Sequence, residues 1–145
     1  MEFPITELLD HKRSVEWIIE YFHPDGLKCP GCGASTEEAR AFRTPRRSQL
    51  KTYRCQLCQS PYNLYTGTVF QQHHLTPQQV VLLMRGICKG ETSNMLAQEL
   101  ALNYKTVLEL RHKIQQNAER EQPDTPLTDD ETETDEMFQN AGEKR

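Results

Sequence analysis

Long apolar runs are missing from this chain of 145 residues. The longest, Val80-Val81-Leu82-Leu83-Met84, is far short of the roughly 20 residues a membrane-spanning helix needs, so the sequence offers no such helix and no membrane partner. The start has no basic stretch followed by an apolar run and a small-residue cleavage site, which argues against a secretory signal and for the cytoplasm. Apolar residues are scarce altogether: 36% of the chain is hydrophobic, 8% aromatic and 26% charged. That leaves room for one ordinary domain or two very small ones, and it argues against a large buried core. A domain so thin in apolar residues usually needs a staple. Acidic residues are also unevenly supplied. The net charge is −4, but residues 1–121 carry 15 Lys and Arg against 13 Asp and Glu, whereas residues 122–145 carry 2 against 8. A mildly basic body followed by an acidic tail leaves nucleic acid open as a partner of the body.

The five cysteines supply the staple. Cys29-Pro30-Gly31-Cys32 and Cys55-Gln56-Leu57-Cys58 are two CxxC pairs 22 residues apart. Each spacing lets a tight turn aim two sulfurs and nearby amides at one ion, and two such turns make the four-thiolate tetrahedron of a closed structural Zn²⁺ site. Gly31 and Gly33 suit a knuckle turn that needs unusual backbone dihedrals. The alternatives are disulfides, a redox dithiol and an iron–sulfur centre. A reducing compartment disfavours the first, and two matched pairs disfavour the second. Cys88 shares a helical face with Val80, Met84 and Ile87 and reads as a small buried apolar residue. His73 and His74 read as exposed linker residues.

Along the chain, Ser14 reads as an N-cap, with Val15, Ile18, Ile19 and Phe22 on one helical face, and His23-Pro24-Asp25-Gly26 as a stop. Strand-like runs follow around Lys51–Arg54 and Tyr62–Phe70. Thr76-Pro77-Gln78-Gln79 opens a helical part with a cap, a proline at the first helical position and a Gln three after the cap. The expected architecture is α+β. A lead-in helix (1–26) precedes a zinc ribbon of short antiparallel strands (27–72). A three-helix unit (73–121) and a disordered acidic tail (122–145) complete it.

Two segments carry DNA-binding signals. Arg40, Arg43, Arg46, Arg47, Lys51 and Arg54 lie between the knuckles with no acid from residue 39 to 58, interleaved with Phe42 and Tyr53. Such a protrusion suits phosphate contacts; the plainer reading is a solvated hairpin tip. From Ser93 to Lys113 the spacing fits a helix-turn-helix. Leu96, Leu100, Leu102, Val107 and Leu110 occupy its buried positions, Ala97 the close crossing, and Ala101 the turn, where Gly is commoner. Asn103 can cap the second helix, and Tyr104, Lys105 and Thr106 form its first turn, the part that reads base edges in this motif. Arg111, His112 and Lys113 follow as candidates for phosphates. The plainer reading is a three-helix bundle without DNA.

These motifs together resemble the N-terminal region of bacterial insertion-sequence transposases that carry a zinc ribbon, a helix-turn-helix and a DDE-type nuclease domain. The resemblance rests on Pro24-Asp25-Gly26, Cys29-Pro30-Gly31-Cys32-Gly33, Tyr53-Arg54-Cys55-Gln56-Leu57-Cys58, Thr66-Gly67-Thr68-Val69-Phe70, and Ala97 with Tyr104-Lys105-Thr106 and Leu110-Arg111. It covers roughly residues 10–121. Glu133-Thr134-Asp135-Glu136 resembles the start of the family's nuclease domain, with Asp135 as the first of three carboxylates that hold two Mg²⁺ ions. The sequence ends about ten residues later, before the second Asp and the final Glu.

The resemblance implies a nucleoid-associated protein that recognises double-stranded DNA at element ends, with Mg²⁺ relevant only beside a complete nuclease domain. Its partners would include a full-length transposase or a second copy. Binding without cutting is the expectation for this chain. The alternatives are a stand-alone transcriptional regulator and half of a split, active transposase.

Overall fold

The computed structural model describes Met1, Phe3 and residues 10–122. Apart from Gln122, the acidic stretch 122–145 lies outside the described residues, and so does Asp135.

The first described helix, α1 (His11–Phe22), starts a turn earlier than the sequence suggested. Asp10 is its cap, its carboxylate accepting from the Arg13 amide at 3.2 Å. Ser14, expected at the cap, lies inside the helix and is buried. An aspartate four residues upstream offers a stronger acceptor, and a small serine fits the core-facing side. Trp17 joins Ile18 on that side, while Val15, Ile19 and Phe22 pack around the rim.

A short 3₁₀ turn (Thr36–Glu38) leads into β1 (Ala39–Arg43), β2 (Thr52–Cys55) and β3 (Pro61–Tyr62), an antiparallel sheet in the order β1-β2-β3. Arg40 faces Arg54 and Tyr53 faces Tyr62 across it, with an irregularity between Ala41 and Arg43. The strand expected over Tyr62–Phe70 stops at Tyr62. Beyond it, polar side chains capture the backbone: Asn63 Oδ1 accepts from the Tyr65 amide at 2.9 Å, and Thr68 Oγ1 donates to the Tyr65 carbonyl at 2.7 Å. Such local bonds compete with a ladder and turn the chain instead.

The helical part divides into α2 (Pro77–Cys88), α3 (Ser93–Glu99) and α4 (Tyr104–Glu121). Thr76 and Gln79 form the expected reciprocal cap, each side chain accepting from the other's backbone amide. Gln79 also donates to the Leu100 carbonyl at 2.9 Å, tying the start of α2 to the end of α3. Thr92 caps α3 and Asn103 caps α4, its Oδ1 accepting from the Lys105 amide at 2.9 Å. Between them Ala101 adopts φ +52°, the left-handed conformation for which a glycine is the cheaper residue.

One apolar core runs through the four described helices. Trp17 and Ile18, Val80, Val81, Leu83 and Met84, Leu96 and Ala97, and Val107 and Leu110 meet in it. Leu50, Leu64, Tyr65 and Phe70 reach the same core from outside the helices. The buried Tyr65 hydroxyl donates to the Leu75 carbonyl at 2.8 Å, and burial holds its pKa well above the usual phenol value. A second, smaller cluster holds Cys29, Cys55 and Tyr62, with Tyr53 against it. Cys88 departs from expectation: it is exposed. It is the last residue of α2, and the chain leaves the core there through Gly90.

Candidate metal centre and basic surface

The two CxxC segments fold into matching turns. In the first, the Cys29 amide donates to the Ala34 carbonyl and the Gly33 amide to the Cys29 carbonyl, both at 2.9 Å. In the second, the Cys55 amide donates to Ser60 and the Gln59 amide to Cys55, both at 3.0 Å. The residue after the second cysteine is left-handed in each, Gly33 at φ +74° and Gln59 at +63°. The expectation of an unusual dihedral thus holds at Gly33. Gly31 matters for a different reason: a Cβ there would stand 3.0 Å from Ser60 Oγ and 3.2 Å from Cys58 Sγ, so the knuckles press together at that point.

That contact brings the four sulfurs into one cluster. All lie within 4.8 Å of one another, and two pairs approach closely across the knuckles, Cys29 to Cys58 at 3.3 Å and Cys32 to Cys55 at 3.5 Å. A tetrahedron with metal–sulfur bonds of about 2.3 Å has sulfurs about 3.8 Å apart, so the spacing fits one ion. A disulfide would hold them at about 2.05 Å, and all five cysteines are free. The first cysteine of each pair is buried, the second exposed, so an ion can enter from the outer side.

Hydrogen bonds divide the protons unequally among these sulfurs. The Ser60 hydroxyl and amide, with Cys29 beside them, bring Cys58 down to about 6. Cys32 accepts from the Ala34 amide, which lowers it, but its bonds with Cys55 and the other sulfurs push it up to about 12. A divalent ion needs all four as thiolates, so uptake near neutral pH releases protons and weakens as pH falls.

The basic residues between the knuckles lie on β1, β2 and their connecting loop. Arg43, Arg46, Arg47 and Lys51 are exposed. Arg54 stacks on Phe42 with its guanidinium 4.3 Å from the ring centre, and Arg43 approaches the same ring at 5.7 Å. Phe42 is itself exposed. Like charges directly opposite each other on a ladder, as Arg40 and Arg54 are, destabilise it.

At the head of α4, Asn103, Tyr104 and Lys105 are exposed and Thr106 is half-buried, while Val107 and Leu110 face the core. Lys113 pairs with Glu109 at 2.9 Å on the exposed side. Arg111 is turned into the fold, where its guanidinium donates to the Glu91 carbonyl and fastens α4 to the turn after α2. His73, expected in an exposed linker, is half-buried, and burial lowers its pKa.

The fold and the cysteine cluster define a small α+β protein with four thiols placed closely enough to hold a metal ion, beside a helical unit. Comparison with family models, curated proteins and solved structures finds no match to the chain. No described helix is long and apolar enough to cross a membrane.

Proposed function

We propose that the chain is a zinc-ribbon, helix-turn-helix protein that binds double-stranded DNA, and that it serves transposition of an insertion sequence as its recognising part. The observation that carries this reading is the geometry of α3 and α4. A seven-residue helix, a left-handed turn at Ala101 and an eighteen-residue helix follow one another. The first turn of the second helix presents Tyr104 and Lys105 to solvent. In a helix-turn-helix that turn contacts base edges. The basic strands support it. Arg40, Arg43, Arg46, Arg47, Lys51 and Arg54 have no acid among them in sequence, and phosphates would relieve their mutual repulsion.

Zinc is the ion proposed for Cys29, Cys32, Cys55 and Cys58, since a closed set of four thiolates suits a structural site with no open position. It would hold the ribbon together and perform no chemistry. The role is binding, with no cutting assigned to this chain.

Selection of duplexes from a random pool by the purified full chain tests the reading. Enrichment of a sequence found in terminal inverted repeats is expected, and enrichment of promoter operators would favour a regulator instead. No enrichment, with Tyr104→Ala and Lys105→Ala binding like the wild type, would remove the helix-turn-helix assignment. Elemental analysis should find about one zinc per chain.

A further inference from the structure

No acidic residue stands between Glu38 and Glu91. The fold wraps part of this stretch around two neighbouring cavities. One, of about 310 Å³, is walled by Arg47, His73, His74, Asn103 and Thr106 among others. The other, of about 260 Å³, shares His73 and His74 and adds Arg43. Among the described residues, no carboxylate lines either of them. The histidine pair therefore stands at a seam where the β1–β2 loop meets the head of α4.

We propose that this seam seats backbone phosphates of a DNA duplex, with Arg43, Arg47, His73 and His74 as the contacting side chains. The inference rests on the DNA-binding reading and extends it to His73 and His74, which the motifs did not single out. An arginine fork matches a phosphate in a bidentate way, and an imidazole N–H or imidazolium donates to the same oxygens. Thr106 adds a hydroxyl. The wall formed by Asn103 and Thr106 is the start of α4, where the helix dipole also favours an anion. A strand of duplex lying in the seam would touch the basic loop and the first turn of α4 together, so the two surfaces would act as one.

The charges around His73 set its pH response. Burial, Lys113 and His74 disfavour its cation, whereas Glu109, itself held by Lys113, favours it. Arg47 in the same cavity adds a further positive charge. The ring is thus mostly neutral when the seam is empty at neutral pH. An arriving phosphate stabilises the cation, so the complex holds more protons than the free chain, and binding tightens as pH falls.

The experiment is a salt titration of the metal-loaded full chain against a short random-sequence duplex, from about 50 to 200 mM, read by fluorescence anisotropy. Arg47→Ala should lower the slope of log K against log salt by about 0.9, the signature of one lost phosphate contact, and weaken binding several-fold. His73→Gln with His74→Gln should weaken it several-fold at pH 6, less at pH 8, and flatten the pH dependence. Lys12→Ala, on α1, should bind like the wild type. Wild-type affinity and slope in both seam variants would overturn the seam while leaving the DNA reading intact. Failure of the wild type to bind any duplex at low salt would overturn both. In a parallel NMR titration, histidine rings that respond to duplex but not to inorganic phosphate support the backbone seat. Rings that saturate with inorganic phosphate and ignore duplex would mark a free-anion site and overturn it.

Discussion

The knuckle region and the helical region solve the same shortage of apolar residues in different ways. The helical core gathers Trp17, Ile18, Leu83, Leu96, Val107, Leu110 and their neighbours from four helices. The cluster beneath the knuckles offers Cys29, Cys55 and Tyr62 and little else. Burial of a large aliphatic or aromatic side chain contributes about 1.5–3 kcal/mol. The helical region can be stabilised by many such increments, whereas on the proposed function the knuckle region depends on one cooperative set of metal–sulfur bonds. Loss of a single ligand should therefore be felt differently from loss of a single core side chain.

The largest expected effect is removal of the ion. Structural zinc in finger peptides contributes about 10–16 kcal/mol of apparent binding energy. Strong chelator, or Cys55→Ser, should unfold β1–β3 and the knuckles while circular dichroism retains most of the helix, because α1–α4 keep their own core. A chain whose sheet amides stay protected in chelator would break the contrast. Cys88→Ser, at an exposed position, should leave metal content unchanged.

Next comes the core. Leu110→Ala leaves a cavity where the side chain is fully buried and should cost about 2–5 kcal/mol in denaturant unfolding of the helices, with the metal retained. Simultaneous loss of metal would show the two regions to be one cooperative unit. Within the knuckles, acidification acts on the thiols. The other sulfurs hold Cys32 up against the Ala34 amide, the Ser60 groups bring Cys58 down, and metal uptake must displace the protons that the cluster carries. Metal affinity should therefore decline as pH falls, with protons released into unbuffered solution on uptake at pH 7. Uptake without proton release would contradict the proton distribution described. The smallest effects are a matched pair. Gln59→Gly in the second knuckle and Ala101→Gly in the turn before α4 both relieve a left-handed residue. Relief of the left-handed Cβ is worth roughly 1–2 kcal/mol, against which glycine adds roughly 0.5–1 kcal/mol of entropy to the unfolded chain. The balance is a gain of about 1 kcal/mol or less in each region, smaller for Gln59, whose side chain also donates to the Gln56 carbonyl. Metal competition measures the first and helix unfolding the second.

Some of this was legible in the sequence. The duplicated CxxC spacing pointed to the sulfur cluster, because four like ligands at matched spacing leave few other arrangements. Thr76, Pro77 and Gln79 marked the start of α2, and Asn103 the start of α4, because capping chemistry is local. The start of α1 is not legible, because Ser14 also suits a cap and only packing puts it inside the helix. The turn beyond Tyr62 is hidden in the sequence, because Thr, Tyr and Val favour strands on average, whereas here the Asn63 and Thr68 side chains bond nearby backbone. Cys88 follows the apolar period but falls where the helix ends. Arg111 looked like a surface base, and nothing local marks its reach to Glu91. The seam at His73 and His74 needed the meeting of distant segments. The acid-free run continuing to Glu91 was the one sequence signal that extended toward it.

The most direct measurement compares duplex binding by the full chain loaded with zinc and stripped by chelator, at low and moderate salt. The zinc-loaded chain should bind duplex with an affinity that falls as salt rises. Stripping should weaken that binding and reduce its salt slope, because Arg43, Arg46 and Arg47 lose the sheet that positions them, while α4 keeps a residual hold. Equal binding and equal slope in the two states would contradict a DNA-binding role for the metal-held region, and no binding in either state would contradict the function proposed for the whole chain.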